Sequence, residues 1–444
     1  MGLSNTLRER SFWALDFLKG AKIKKNYRDV RFILENFSDP KSVIKRKERL
    51  DTILNHARTT VPYYQNLQTL DKLSDFPVVN KNMIRDNFEA FKSNLHLDDK
   101  LYSRYTSGST GTPFRIYHDV DKTIRNTADT LYFAKKAGFK VGQKLIYIRH
   151  WDQYNRKSNL ATFAENILMH PVSNLRDKDI EGLLRKIQSD KSPKAILSYA
   201  SALTTICNYL DRKNFQPLEV NMKSIIAMSE YLSPTIKQKL KYYFGVEGLS
   251  RYSNVENGII AQQFPGSAVF HINWASYLVE VLKENSNDPA ENGEPGRIVI
   301  TDFFNSSMPL IRYDTGDIGY METDDTFNGA PYLKRIEGRK MDMIYNTDGE
   351  LITSYITYHL LKYPKIKQFQ FIQEGATTYT LKLNVYDDFD YEEKIIEEFK
   401  THLGKTAKMN ITYVKDIPLL LSGKRKLVIN KMIPQKAKQS SPSE

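Results

Sequence analysis

Short apolar runs set between polar helical segments constrain this chain more than any other feature. Residues 145–148, 195–199, 224–228, 277–282 and 297–301 each have the length and apolar character of a buried strand. Segments with helical spacing, such as 183–189 and 234–244, lie between several of them. This alternation predicts an α/β protein whose sheets are covered by helices. Past Arg339 the pattern changes. Phe369 and Phe371, then Tyr379, Leu381, Leu383 and Val385, alternate with polar residues on either side of Glu374 and Gly375, which reads as a β-hairpin. Ile395, Ile396, Phe399 and Leu403 then share one helical face, and residues 409–414 supply another strand. The expected organisation is a large α/β domain of several sheets over residues 1–338, a small α+β domain over 339–434, and a disordered tail over 435–444.

Size and composition agree with that division. A chain of 444 residues is longer than one hydrophobic core sustains, so at least two domains are expected. Hydrophobic residues make up 41% and charged residues 26%, which is globular usage and excludes disorder of the whole. No stretch has the length of a membrane span and no secretory apolar region opens the chain, which points to the cytoplasm. The single cysteine, Cys207, excludes an intramolecular disulfide and a Cys-based zinc site; set in an apolar run, it reads as packing. The formal charge of +13 is uneven, since residues 1–50 hold 13 Lys and Arg against 6 Asp and Glu. A solvated helical face accounts for such a run, and so does a peripheral membrane contact through Phe12, Trp13, Leu15, Phe17 and Leu18 beside Lys19, Lys22, Lys24 and Lys25. No nucleic-acid module accompanies the charge.

Five clusters carry the chemistry. The first is Tyr105-Thr106-Ser107-Gly108-Ser109-Thr110-Gly111-Thr112-Pro113, where glycines free the backbone to converge N–H groups on an anion and hydroxyls add donors. Alone it is equally a polar loop, and it matches neither the Walker nor the dinucleotide pattern. Downstream come Tyr252-Ser253-Asn254-Val255-Glu256, Arg312-Tyr313-Asp314-Thr315-Gly316-Asp317, Gly338-Arg339-Lys340-Met341-Asp342 and Ser422-Gly423-Lys424. Their order resembles the adenylate-forming superfamily of acyl-CoA synthetases. The text from Gly293 to Thr301 and from Met308 to Tyr313 is similar to its phenylacetate–CoA ligase and CapK-like branch.

That resemblance implies roles. Residues Thr106, Ser107, Gly108, Ser109, Thr110 and Gly111 would cradle the β- and γ-phosphates of ATP, although Phe114 stands after Pro113 where the family often has lysine. Glu256, with Thr110, would hold Mg²⁺, an ion content with one or two protein oxygens. Tyr252, beside Ser253, would lie against the adenine, and Ser229 and Glu230 would line the adenine and acyl pocket. Asp317 would accept both ribose hydroxyls, and Arg339 would help fix the ribose. Met341 occupies the hinge position, where Asp or Lys is usual. Lys424 would stabilise charge developing in adenylation, so the catalytic set is Lys424, Glu256 and Thr110. The acyl pocket would lie among residues 150–151, 199–202 and 227–229; His271 matches a family feature near the active site, although a lone histidine is more often structural.

The activity implied is ATP-dependent activation of a small carboxylic acid to an acyl-adenylate, followed by transfer to CoA. An amine acceptor, such as an amino sugar in surface-polysaccharide synthesis, is the alternative within the class. A nucleotide-binding scaffold that has lost catalysis is the alternative outside it.

Overall fold

The apolar runs are strands, most of them slightly longer than the sequence indicates: Lys144–Arg149, Lys194–Tyr199, Met222–Met228, Tyr277–Leu282 and Pro295–Asp302. The structure, a computed structural model, describes the chain except residues 1–2, 68–69, 97–99, 107–113, 152–155, 340–343, 350, 353–359, 361–362, 364, 387, 419–425 and 433–444. It divides into two compact units, residues 1–336 and 337–444.

In the first unit, Ile167–Pro171, Lys144–Arg149, Lys194–Tyr199, Met222–Met228 and Gly248–Asn254 lie side by side as a parallel block. Parallel neighbours need crossovers, and helices Asn159–Ala164, Asp177–Ser189, Ala200–Arg212 and Pro234–Phe244 supply them. The last of these shows why the sequence folds so locally. Ser233 caps its start by accepting from Ile236 N at 3.3 Å, and Gly245 closes its end at φ 74°. Ile236 and Leu240 turn the helix's apolar side fully into the core.

Gly258–Gln262 pairs antiparallel with Gly248–Asn254 and hands the sheet on through Phe270–Ile272 and Tyr332–Arg339 to Tyr313–Glu322, Pro295–Asp302 and Tyr277–Leu282. Val79–Asn80 adds a short parallel strand beside Tyr313–Glu322. The several sheets expected of the large domain are therefore largely continuous as one twelve-stranded sheet, with the hairpin Tyr102–Thr106 and Phe114–His118 separate from it. A core of Tyr64, Phe76, Phe91, Phe114, Ile116 and Tyr313 ties that hairpin to the N-terminal helices and to the strand bearing the Arg312–Asp317 cluster.

The second unit is the small α+β fold the pattern indicates. Ile366–Gln373 and Thr378–Val385 form the hairpin, helix Glu392–Leu403 follows, and Lys408–Tyr413 and Val428–Asn430 flank the hairpin as parallel edge strands. Phe371, Tyr379, Leu381, Ile395 and Phe399 make its core.

Candidate active site

Arg149, Tyr199, Met228 and Asn254 end four neighbouring strands on one edge of the sheet, the edge where ligands bind in open parallel folds. The segments expected to form an acyl pocket, residues 150–151, 199–202 and 227–229, are thereby set at adjacent strand ends. Tyr147 and Trp151 meet edge to face at 5.0 Å, with the Arg149 guanidinium over both rings. Two non-glycine residues in the expected site segments hold left-handed backbone: Ser229, which follows the strand end Met228, at φ 68°, and Arg312, which precedes strand Tyr313–Glu322, at φ 47°. Such strain persists where neighbours enforce it. Arg312 is enforced by its N–H donating to Thr301 Oγ1 at 3.0 Å and its guanidinium donating to Glu280 at 3.1 Å.

Tyr252 and Asp317 are brought together. The Tyr252 hydroxyl donates to Asp317 Oδ2 at 2.7 Å, with Thr315 Oγ1 3.1 Å away. Burial first, then the Asp317 charge, raises the Tyr252 phenol well above its ordinary pKa, so it stays a donor. Thr315 Oγ1 donates to Ile298 O at 3.0 Å and accepts from Asp317 N at 3.2 Å, while Gly316 N donates to Asp314 Oδ1 at 2.8 Å. Gly316 takes φ 78° inside strand Tyr313–Glu322, where the pairing shifts register between Arg297 and Val299, so the tight turn expected before Asp317 is a bulge in the strand.

The same strand reaches Glu256. Tyr313 Oη donates to Glu256 Oε1 at 3.1 Å, and Lys81 Nζ lies 3.6 Å from that oxygen. Lys81 also sits 5.0 Å over the ring of Phe114, whose strand rung with Thr106 closes the hairpin on either side of residues 107–113. The main chain of Glu256 is fixed from behind: His118 Nε2–H donates to its carbonyl at 2.7 Å, and Tyr277 Oη donates to the next carbonyl, of Asn257, at 2.5 Å. Burial, aided by the Lys122 charge, lowers His118 to about 3, so its ring is neutral and the proton sits on the nitrogen that donates.

Other expected residues are placed as follows. Ser253 is half-buried and pairs with Ile259 in the strand ladder. Glu230 Oε2 accepts from Ser201 N at 2.8 Å, at the start of helix Ala200–Arg212. Arg339 closes strand Tyr332–Arg339. Ser107, Gly108, Ser109, Thr110, Gly111, Met341 and Lys424 lie outside the described residues, as do the side chains of Thr106 and Arg339. His271 has packing partners: it stacks on Phe264 at 4.3 Å, contacts Ser267 Oγ at 3.0 Å, and is lowered to about 4, chiefly by burial. Cys207 is buried and free. Lys81 and His118 were not singled out from the sequence; neither stands in a recognisable cluster, and only the fold carries them to Glu256.

Among the described residues no three His, Cys, Asp or Glu side chains gather as a metal cage. Glu256, a buried carboxylate, fits an ion that arrives with phosphate oxygens and keeps its waters, which is the habit of Mg²⁺.

The architecture is one found in solved CoA ligases. A crystal structure of 2-hydroxyisobutyryl-CoA ligase, in the postadenylation state with an acyl-AMP, superposes with a TM-score of 0.72 at 15% identity, over 90% of this chain and 92% of that one. In sequence the chain is similar to CapK and to the phenylacetate-coenzyme A ligases. It is 21% identical to protein CapK of Staphylococcus aureus, covering 87% of this chain and 88% of CapK. It is likewise 21% identical to the phenylacetate-coenzyme A ligase of Aromatoleum evansii, over 86% and 93% of the two chains. Residues 344–431 match the CapK C-terminal domain.

Proposed function

We propose that the protein is an ATP-dependent carboxylate-activating ligase. A carboxylate oxygen attacks the α-phosphorus of ATP, pyrophosphate leaves, and the acyl group of the acyl-adenylate then passes to the thiol of CoA, releasing AMP. What supports this reading is that one strand, Tyr313–Glu322, brings Asp317 against Tyr252 and Tyr313 against Glu256, as a nucleotide site with a ribose corner and a phosphate corner would require.

On this reading Asp317 accepts the ribose hydroxyls, Tyr252 orients Asp317 while offering its ring to the base, and Glu256 with Thr110 holds the metal. Bound Mg²⁺ would neutralise phosphate charge. Thr106, Ser107, Gly108, Ser109 and Gly111 would supply donors to the phosphates, and Ser229, Glu230 and Ser253 would edge the pocket. Arg339 would fix the ribose from the start of the small unit, and Lys424 would stabilise charge as the adenylate forms, leaving when the small domain turns for transfer. CoA is the acceptor we favour, because the relatives other than CapK, and the solved structure with the same fold, are CoA ligases by name. An amine acceptor is tested by the same assay. We place the protein in the cytoplasm, where an anionic lipid surface is accessible to its N-terminal helices.

The experiment is calorimetric binding of MgATP to the intact chain and to Asp317→Ala. The account expects binding to weaken by at least about tenfold, roughly 1.4 kcal/mol. Unchanged affinity removes Asp317 from the ribose site.

A further inference from the structure

The first helix, Leu3–Leu18, is amphipathic in the wrong sense for a packed surface helix. At 100° per residue Asn5 and Asp16 share one face, and that face is turned inward: Asn5 is 2% exposed and Asp16 5%. Leu7 and Leu18 lie opposite, with Leu15 and Phe17 on the two flanks, and all four are between 57% and 79% exposed.

This orientation is fixed. Asp16 Oδ1 accepts from Ile23 N at 3.0 Å and Oδ2 from Lys24 N at 2.9 Å, capping the next helix, Lys22–Glu35. Trp13 meets Tyr27 of that helix at 6.1 Å. At the other end the backbone of Asn5 and Glu9 presses so closely on Gly142 that a side chain there would strike the Asn5 carbonyl. The short helix Asn159–Ala164 widens the patch, since its Leu160 and Phe163 are 79% and 72% exposed and Arg8 lies over the Phe163 ring.

We propose that this face is a docking surface for an anionic lipid bilayer. Exposed apolar patches of this kind mark interaction sites, and charge selects the occupant. Arg10, Lys19, Lys22, Lys24, Lys25 and Arg28 are exposed in or beside the first helix, whereas the carboxylates of residues 4–28 are Glu9, half-buried, and Asp16, buried. A second copy would set cations against cations. An anionic polymer would satisfy the lysines and leave the leucines and phenylalanines in water. An anionic interface takes both, apolar side chains at the acyl boundary and ammonium groups among the headgroups. No described helix is long and apolar enough to cross a membrane, so the contact is peripheral.

The test is co-sedimentation of the full chain with vesicles of phosphatidylcholine, alone and with about 30% phosphatidylglycerol. The proposal expects pelleting with the anionic vesicles only, weakened in about 0.5 M salt, where screening is short-ranged. Phe17→Glu with Leu18→Glu should lower the vesicle affinity at least about tenfold. Both side chains are exposed, so the melting temperature and MgATP binding should stay as in the parent. A second variant, Lys22→Ala with Lys24→Ala and Lys25→Ala, should lose a similar share. Absence of pelleting overturns the proposal. So does retention of full affinity by the Phe17 and Leu18 variant with loss only in the lysine variant, which would mean bare polyanion attraction. Pelleting that is equal on neutral and anionic vesicles overturns it as well.

Discussion

At Glu256 one carboxylate, one phenol and one ammonium meet, and the balance among them sets what the corner can hold. Lys81 Nζ, 3.6 Å from Glu256 and above the Phe114 ring, brings positive charge to the foot of the proposed phosphate loop. Lys81→Ala should therefore weaken ATP about tenfold while leaving AMP, which lacks the outer phosphates, unchanged. Calorimetry with the two nucleotides separates these outcomes, and equal loss of both would assign Lys81 to packing alone. His118 gives a pH signature. Its native pKa is lowered to about 3 from an ordinary 6.5, so between those values the unfolded chain binds a proton that the folded chain does not. Stability from this group is complete above about pH 6.5 and falls as pH drops toward 3, by up to about 1.4 kcal/mol per pH unit. Thermal unfolding from pH 7 to 5 should show the decline, and His118→Asn should flatten it. Tyr252, Glu256 and Asp317 drew notice in the sequence because each stands in a short cluster, and the order of the clusters resembles a known family. Lys81 and His118 were not, because each acts through contacts with residues far along the chain.

Among elements, the strands of the parallel block and the C-terminal hairpin were legible because their apolar periods are long and regular. Phe270–Ile272, three residues long, carries no period, yet it joins the parallel half of the sheet to Tyr332–Arg339. The helices before residue 60 were legible as charge and scattered apolar residues, but their facing was not. It depends on Asp16 capping a helix that begins beyond the turn at Gly20 and Ala21, where Ala21 takes φ 54°. Gly142 tests that docking. It holds φ 89° directly against the Asn5 carbonyl, so Gly142→Ala meets both a strained backbone and a collision. The expected cost is about 1–3 kcal/mol, with faster hydrogen exchange across residues 3–18. Unchanged exchange there would mean the first helix is held by its contacts to the second alone.

For the whole molecule, the division into units of residues 1–336 and 337–444 separates the proposed site residues. Asp317 and Glu256 stand in the first, and Lys424 belongs to the second. If the small unit carries Lys424 to the nucleotide only for adenylation, Lys424→Ala should slow adenylate formation by a factor of at least about 100 and leave transfer from a preformed acyl-adenylate near its parent rate. Stopped-flow assay of each half-reaction checks this, and equal losses in both would contradict the two-step use of the small unit. The most direct measurement of the central claim is pyrophosphate release from MgATP across a panel of aryl, fatty, hydroxy and amino acids, each with and without CoA. The account predicts release with a particular acid and turnover that depends on CoA. ATP binding confirmed by calorimetry together with no acid-dependent release would contradict it and return the chain to a nucleotide-binding scaffold.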